Sequence, residues 1–157
     1  MSVEEGDMAP DFDLPASDGR RVSLAGMKGR PFVLYFYPKA DTPGCTKEAC
    51  AFQEALPQFA GMAIEVIGVS KDKMPAIEKF AAKFDLKFPL ASDPEGTVVE
   101  AYGAWVEKSM YGRTYMGIDR STFLIDGTGR IARIWRKVKV PGHAKAVMDA
   151  ARGLEAA

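Results

Sequence analysis

Two cysteines, Cys45 and Cys50, are the residues of this chain whose type and spacing could do chemistry. They are its only cysteines, and they stand five residues apart in the run 37–50, YPKADTPGCTKEAC. A thiolate is a strong nucleophile and can be oxidised reversibly, so two thiols this close indicate redox chemistry. Thr42 precedes Cys45 by three residues, and Pro38 precedes Thr42 by four. This run is therefore the candidate site.

The elements that must position Cys45 are a strand before it and a helix that begins with it. Residues 31–37 are apolar on both faces, which predicts a central strand that Pro38 ends. Residues 44–60 predict a helix, because apolar side chains recur at helical spacing from Cys45 to Phe59. Cys45 then lies in the first helical turn, where free N–H groups and the helix dipole favour a thiolate.

The same helix points Cys50 in another direction. A step of five residues turns about 140°, which places Cys50 on the polar stripe with Gln53 and Glu54. It also separates the two Cα atoms by about 8.7 Å, whereas a disulfide needs them within about 7 Å. Cys45 and Cys50 therefore cannot bridge while the helix is intact, and a bridge would require its first turns to unwind.

Other sites based on cysteine or histidine fit the chain poorly. A disulfide exchanger of the thioredoxin type needs Cys-x-x-Cys, and a structural zinc site needs four ligands where this chain has two cysteines and one histidine. We expect that histidine, His143, at the surface or as a helix cap rather than as a catalytic base. Because free cysteines are often buried core residues, a redox pair and a structural pair both remain open from the residues alone.

The remaining segments predict a thioredoxin-like α/β fold: a mixed central β-sheet flanked by helices, with an N-terminal β-hairpin. Residues 9–24 predict that hairpin, and residues 104–119, rich in Gly, Tyr and Met, predict a loop. The other predicted elements are a strand at 62–70, a helix at 74–84, an extended piece at 88–91, a short helix at 98–102, a hairpin at 121–135 and a helix at 142–152.

Length and composition bound the class of protein. The chain has 157 residues, 47% of them hydrophobic, and its charges balance to zero, so we expect one domain over 1–157 and neither nucleic acid nor an acidic membrane as partner. Residues 1–7 contain no apolar core of a signal peptide, and no run approaches the ~20 apolar residues of a membrane span. We therefore expect a cytoplasmic location.

The run 36–50 closely resembles the peroxiredoxins, and within them the peroxiredoxin Q group, also called bacterioferritin comigratory protein. Its Pro-x-x-x-Thr-x-x-Cys pattern, placed between a strand and a helix, is highly specific for this resemblance. Residues 9–12, 65–70 and 115–126 are similar to the family's opening, its second core strand and the segment that bears its arginine. The resemblance thus covers nearly the whole chain.

The resemblance implies a thiol-dependent peroxidase that reduces hydrogen peroxide and organic hydroperoxides without a metal or other cofactor. Cys45 would be the peroxidatic cysteine, and Arg120 would supply positive charge to its thiolate and to the O–O bond. Thr42 would hydrogen-bond the peroxide, and Pro38 would shield the site from water. Cys50 would resolve the sulfenic acid as an intramolecular Cys45–Cys50 disulfide, which a thioredoxin-type reductant would reduce. The group also implies a monomer.

Ordinary structural roles stand beside these functional ones. Arg120 could form a surface salt bridge, Thr42 could cap the helix, and Pro38 could merely end the strand. Glu48 could be a solvated acid of the first helical turn as readily as a site residue. The alternative function is a non-enzymatic redox switch that acts through a partner. The register of Thr42 and Pro38 with Cys45 favours the enzyme, because a sensor needs only the thiols.

Overall fold

The computed structural model describes residues 3–155; Met1 and Ser2, which belong to the segment 1–7 considered above for a signal peptide, lie outside them. The strands in chain order are β1 (Asp13–Pro15), β2 (Arg21–Ser23), β3 (Phe32–Phe36), β4 (Glu65–Ser70), β5 (Leu90–Ser92), β6 (Trp105–Met110), β7 (Arg113–Ile118), β8 (Ser121–Ile125) and β9 (Ile131–Trp135). The helices are α1 (Pro43–Gly61), α2 (Met74–Lys83), α3 (Thr97–Ala101) and α4 (His143–Glu155), with a short 3-10 turn at Ala25–Met27.

A five-stranded mixed sheet forms the centre of the molecule, in the order β5-β4-β3-β8-β9. Strand β3 pairs in parallel with β4 and antiparallel with β8. Every residue of β3 is buried, as its apolar run on both faces predicts. With the N-terminal hairpin β1–β2, which pairs Leu14 with Val22, this architecture confirms the predicted thioredoxin-like fold.

Two hydrophobic cores lie on opposite faces of this sheet. One contains Val33 and Tyr35 of β3 under helices α1, α2 and α4, and Cys45 belongs to it. The other contains Phe32 and Leu34 under the N-terminal hairpin, the 3-10 turn and α3. Alternation along β3 directs Val33 and Tyr35 towards the helices, and Cys45 of α1 packs in the same core, between the sheet and the helical layer.

The register of the sheet decides which residues meet where β3 and β4 end and β8 begins. This end of the strands is here called the active edge. Phe36, the last residue of β3, lies opposite Ser121, the first residue of β8. Strand β4 runs parallel to β3, so its end at Ser70 lies at the same edge. The loops after β3 and β4 and the residues just before β8 therefore converge there.

Residues 105–118 do not form the predicted loop. They form an antiparallel hairpin of β6 and β7, which pairs Trp105 with Ile118 and turns at Tyr111 and Gly112. Both turn residues have positive φ, 53° and 77°. Tyr-Gly lacks the Asn or Asp that normally signals such a turn, and most of the hairpin is exposed, so it carries no clear apolar alternation.

Helix α1 contains Pro57 without ending there. It starts at Pro43, which is favourable at a helix start, and continues to Gly61. The side chain of Pro57 is exposed, on the face of the helix away from the sheet.

Candidate active site

Cys45 lies in the first turn of α1, with its side chain 1% exposed. The β3 ladder extends one residue beyond the strand, since Tyr37 N–H donates to Val69 O at 3.1 Å. Residues 38–42, here called the leader loop, then carry the chain into α1, with Asp41 in the left-handed region at φ 61°. The strand, the loop and the helix start thus place Cys45 as the sequence predicts.

Arg120 joins Cys45 to a carboxylate. Its Nη2 donates to Cys45 Sγ at 3.4 Å, and its Nη1 donates to Glu48 Oε1 at 2.7 Å. Arg120 directly precedes β8, so the pairing of β8 with β3 brings it to the start of α1. A surface salt bridge, the alternative for Arg120, is wrong, because its partner Glu48 is buried.

Glu48 is a site residue that the sequence left undecided. It is 1% exposed, so a solvated acid is wrong, and its Oε2 has no hydrogen-bond partner among the described residues. Burial raises the pKa of Glu48 from 4.5 to about 7, although Arg120 acts in the opposite direction. Burial likewise opposes the charge of Arg120, but Glu48 and Cys45 outweigh it, so the pKa of Arg120 is raised.

Gly44 leaves room for the guanidinium. A Cβ atom at this position would lie 3.1 Å from Arg120 Nη2. This distance is shorter than an ordinary van der Waals contact, so a larger residue would press on the group that contacts Cys45. The glycine before Cys45 therefore permits the close approach of Arg120.

Thr42 and Pro38 lie in the leader loop, which precedes Cys45 in the chain. Thr42 occupies the N-cap position of α1, but its side chain caps no helical N–H, contrary to the expected alternative. Its Oγ1 donates to Lys39 O at 2.8 Å instead, inside the loop. Pro38 is half-buried and directly follows the last ladder residue, so it does end the strand.

Cys50 is half-buried and free, and it lies on a different side of α1 from Cys45. Its neighbour on that side, Gln53, faces the segment after α2, where its Oε1 accepts from Lys87 N–H at 2.6 Å. Both cysteines belong to the continuous helix α1. The two thiols are thus present in the predicted arrangement, unbridged and pointing apart.

His143 is neither solvated nor a cap, and the expectation for it is wrong. It is 7% exposed, and its Nε2 shares a hydrogen bond of 2.7 Å with Thr122 Oγ1. The ring packs edge-on against Phe52 and Trp135. Burial and the positive charge of Arg120 lower the pKa of His143 to about 4, so the imidazole is neutral at pH 7.

Asp72 is a residue near the site that the sequence reasoning missed. It follows β4, and its Oδ2 accepts from Ala40 N–H of the leader loop at 2.7 Å and from Ser70 Oγ at 2.8 Å. The available signal was its position: an acid two residues after a buried strand parallel to β3 must lie at the active edge.

Residues 3–155 include neither a candidate metal cluster nor a candidate membrane-spanning helix. They contain no group of three or more His, Cys, Asp or Glu side chains that could hold a metal ion. In the same part of the chain, no helix has the length and apolar character needed to cross a membrane.

Comparison with known proteins gives consistent matches. The model of the AhpC/TSA family matches residues 5–134. A putative peroxiredoxin bcp of Coxiella burnetii is 49% identical over 148 residues, which cover 94% of this chain and 98% of the relative. A mutant PrxQ of Xylella fastidiosa is similar in structure, with a TM-score of 0.92, 38% identity and 98% of each chain covered.

A second solved structure adds a described activity. It is the bacterioferritin comigratory protein of Xanthomonas campestris, studied for its alkyl peroxide reduction activity, with a TM-score of 0.86, 41% identity and 90% of each chain covered. Both of these solved peroxiredoxins therefore resemble this chain in fold and in sequence.

Proposed function

This chain belongs to the AhpC/TSA family, as a peroxidase of the peroxiredoxin Q or Bcp group, and on that premise we propose that Cys45 is its peroxidatic cysteine and Cys50 its resolving cysteine. The substrates we propose are hydrogen peroxide and organic hydroperoxides. The alkyl peroxide reduction described for the Xanthomonas campestris protein supports the second of these classes.

In the first step, the Cys45 thiolate attacks the terminal oxygen of the hydroperoxide. An S–O bond forms and the O–O bond breaks, and its electron pair leaves with the other oxygen, which takes up a proton to give water or an alcohol. Cys45 is oxidised to the sulfenic acid and the peroxide is reduced. Thr42 would hydrogen-bond the bound peroxide, and Pro38 would keep bulk water from the reacting oxygen.

The observation that carries this proposal is the contact of Arg120 Nη2 with Cys45 Sγ at 3.4 Å. Arginine remains protonated at every physiological pH, so a permanent charge faces the buried sulfur and stabilises its thiolate form. The same charge would stabilise the negative charge that develops on the departing oxygen. A redox switch also uses a stabilised thiolate, so the feature that favours the enzyme over a switch is the register of Thr42 and Pro38 with Cys45.

In the second step, the Cys50 sulfur attacks the sulfenic sulfur of Cys45. The S–S bond forms, the S–O bond breaks, and the hydroxyl leaves as water with the proton of the Cys50 thiol. The distance between the two positions in an intact helix, about 8.7 Å between Cα atoms, requires the first turns of α1 to open. A thioredoxin-type dithiol would then reduce the disulfide.

Three further assignments remain predictions. We expect a monomer, because an intramolecular resolving pair does not need a second subunit. We expect residues 1–157 to act as one domain, and we expect a cytoplasmic location because the cycle ends in reduction by a dithiol.

The test is a coupled assay that follows peroxide consumption driven by thioredoxin, its reductase and NADPH. Wild type should turn over, and Cys45→Ser should lose all turnover. Cys50→Ser should still consume one equivalent of peroxide rapidly, as seen by intact mass, but should turn over slowly with thioredoxin. Absence of peroxide consumption in wild type would contradict the proposed peroxidase function. Unchanged turnover in Cys50→Ser would contradict the resolving role of Cys50.

A further inference from the structure

A single carboxylate connects the leader loop to the adjoining strands. Asp72 Oδ2 accepts from the backbone N–H of Ala40 at 2.7 Å and from Ser70 Oγ at 2.8 Å. Hydrogen bonds to an ionised carboxylate are about twice as strong as neutral ones. The acceptor is also half-buried, so water competes with these bonds less than at the surface.

The segment that carries Asp72 is itself firmly fixed. Ser92 Oγ donates to the backbone oxygen of Asp72 at 2.6 Å, and Asp93 N–H donates to Ser70 O at 2.9 Å. Both donors lie at the end of β5, next to β4 in the sheet. Asp72 is therefore part of the rigid edge formed by β4 and β5.

Apart from the packing of Ala40 against the core that contains Cys45, the leader loop has little else to hold it. Among the described residues, its other side-chain bond to a distant element is the ion pair of Asp41 with Lys83, at 2.9 Å. Both of these side chains are more than 40% exposed, and exposed pairs contribute little to stability. The bond between Thr42 and Lys39 lies inside the loop and does not tie it to the sheet.

We propose that Asp72 is a latch: a positioning residue that holds the leader loop against the sheet edge and so limits how often the first turn of α1 opens. The leader loop ends at Thr42, whose backbone oxygen accepts from Thr46 N–H at 2.8 Å. Movement of the loop therefore breaks the first turn of the helix that carries Cys45. The latch controls access to Cys45 in the reduced protein as well as in the oxidised one.

This latch would also set the fate of oxidised Cys45, an inference that rests on the resolving role proposed for Cys50. The sulfenic acid can condense with the Cys50 thiol, which forms the disulfide and releases water. It can instead react with a second hydroperoxide, which oxidises it to the sulfinic acid and is itself reduced to water or an alcohol. Opening of the helix favours the first reaction, so a weaker latch lowers the yield of sulfinic acid.

The first test measures opening in the reduced protein, without peroxide. In a Cys50→Ser background Cys45 is the only thiol, and since it is buried, its alkylation by iodoacetamide reports opening. Asp72→Ala should accelerate this alkylation about tenfold or more. Asp72→Asn, which keeps the shape and one acceptor oxygen without the charge, should give a smaller increase and carries the same test if the alanine variant fails to fold.

A matched control lies at the opposite edge of the sheet. Asp126 is also a half-buried carboxylate: its Oδ1 accepts from Thr128 N–H at 2.9 Å and from Arg130 N–H at 3.1 Å. Asp126→Ala should lower thermal stability without accelerating the alkylation of Cys45. Equal acceleration in Asp126→Ala and Asp72→Ala, or none in either, overturns the latch.

The second test uses the chain with both cysteines and graded amounts of hydrogen peroxide. Intact mass should show several-fold less sulfinic acid for Asp72→Ala than for wild type, with more disulfide. If alkylation accelerates but no variant forms a disulfide, the latch stands and the resolving role of Cys50 fails. If alkylation accelerates, disulfide forms and the sulfinic yield is unchanged, the latch does not govern resolution.

Discussion

Glu48 Oε1 accepts a hydrogen bond from Arg120 Nη1 at 2.7 Å, while the other carboxylate oxygen of this buried side chain has no partner among the described residues. Burial removes water from a carboxylate, and an oxygen without a hydrogen-bond partner is not compensated for this loss, so the ionised form is destabilised. This is why the pKa of Glu48 rises to about 7 even though a guanidinium lies beside it.

The first prediction concerns Glu48→Gln and the pH dependence of stability. Glu48 is protonated in both states below pH 4.5, and from there to about pH 7 the unfolded chain ionises first, so stability falls as pH rises. The loss amounts to about 3 kcal/mol, at 1.36 kcal/mol for each pKa unit. The stability of wild type relative to Glu48→Gln, measured by urea denaturation at pH 5 and pH 8, should fall by about 3 kcal/mol between the two pH values, because the opposite contribution of His143 is common to both proteins and cancels in the difference.

The control for this prediction is Glu54→Gln. Glu54 is an exposed carboxylate on the same helix, and it makes no contact with Arg120. It should keep the pH slope of wild type. A Glu48→Gln variant with that same slope would show that Glu48 does not titrate in this range.

The second prediction concerns Gly44→Ala. The added Cβ would lie 3.1 Å from Arg120 Nη2 and displace the guanidinium from the Cys45 sulfur, so oxidation of Cys45 by hydrogen peroxide should slow about fivefold. Stopped-flow fluorescence or rapid-quench mass spectrometry measures this rate. Gly153→Ala in α4 is the matched control, because its Cβ meets nothing within 4 Å. Equal oxidation rates in both variants would contradict the need for Arg120 at its observed position.

The third prediction concerns His143, the only histidine of the chain. Its pKa is lowered from 6.5 to about 4, so the folded state keeps the neutral imidazole. The contribution of His143 to stability is therefore complete above pH 6.5 and is lost as pH decreases towards 4, by up to about 3 kcal/mol, in the opposite sense to the contribution of Glu48. A proton NMR titration of the single imidazole reports the pKa directly, and His143→Gln should lose the acid slope. A titration midpoint near 6.5 would contradict the burial argument.

The fourth prediction concerns α1 on oxidation. Because the intact helix holds the cysteines too far apart to bridge, formation of the disulfide should remove amide protection from about residue 46, the first N–H bonded within the helix, to residue 50 and reduce far-UV helicity. Hydrogen exchange with mass spectrometry, before and after one equivalent of peroxide, measures the change. Cys50→Ser, which cannot form the bridge, should keep its protection. Unchanged protection in the oxidised wild type would show that the helix need not open.

The position of Cys45 could be predicted from sequence because local signals agree there. A strand apolar on both faces, a proline after it and a helical stripe that begins at Cys45 are all written in consecutive residues. The same helical geometry predicted that Cys50 lies with Glu54 on a more polar side of α1 than Cys45, and the burial agrees, because Cys45 is buried, Cys50 is half-buried and Glu54 is exposed.

Features that depend on distant partners were not accessible in this way. The burial of Glu48 depends on Arg120, 72 residues further along the chain, and the burial of His143 depends on Thr122 of β8. In the same way, Asp72 acquires its role only when parallel pairing places it beside Ala40. Periodicity reports which face of an element is apolar, but it does not report which polar groups from other elements come to lie there.

The two partners that Arg120 holds lie on a different element from Arg120 itself. Cys45 and Glu48 belong to the first turns of α1, while Arg120 is fixed by the sheet through the pairing of β8 with β3. An opening of those turns therefore removes both partners at once and leaves a partly buried cation alone at the sheet edge. That stationary charge attracts the returning thiolate and carboxylate together, so it acts as a restoring force that resets the site after each turnover.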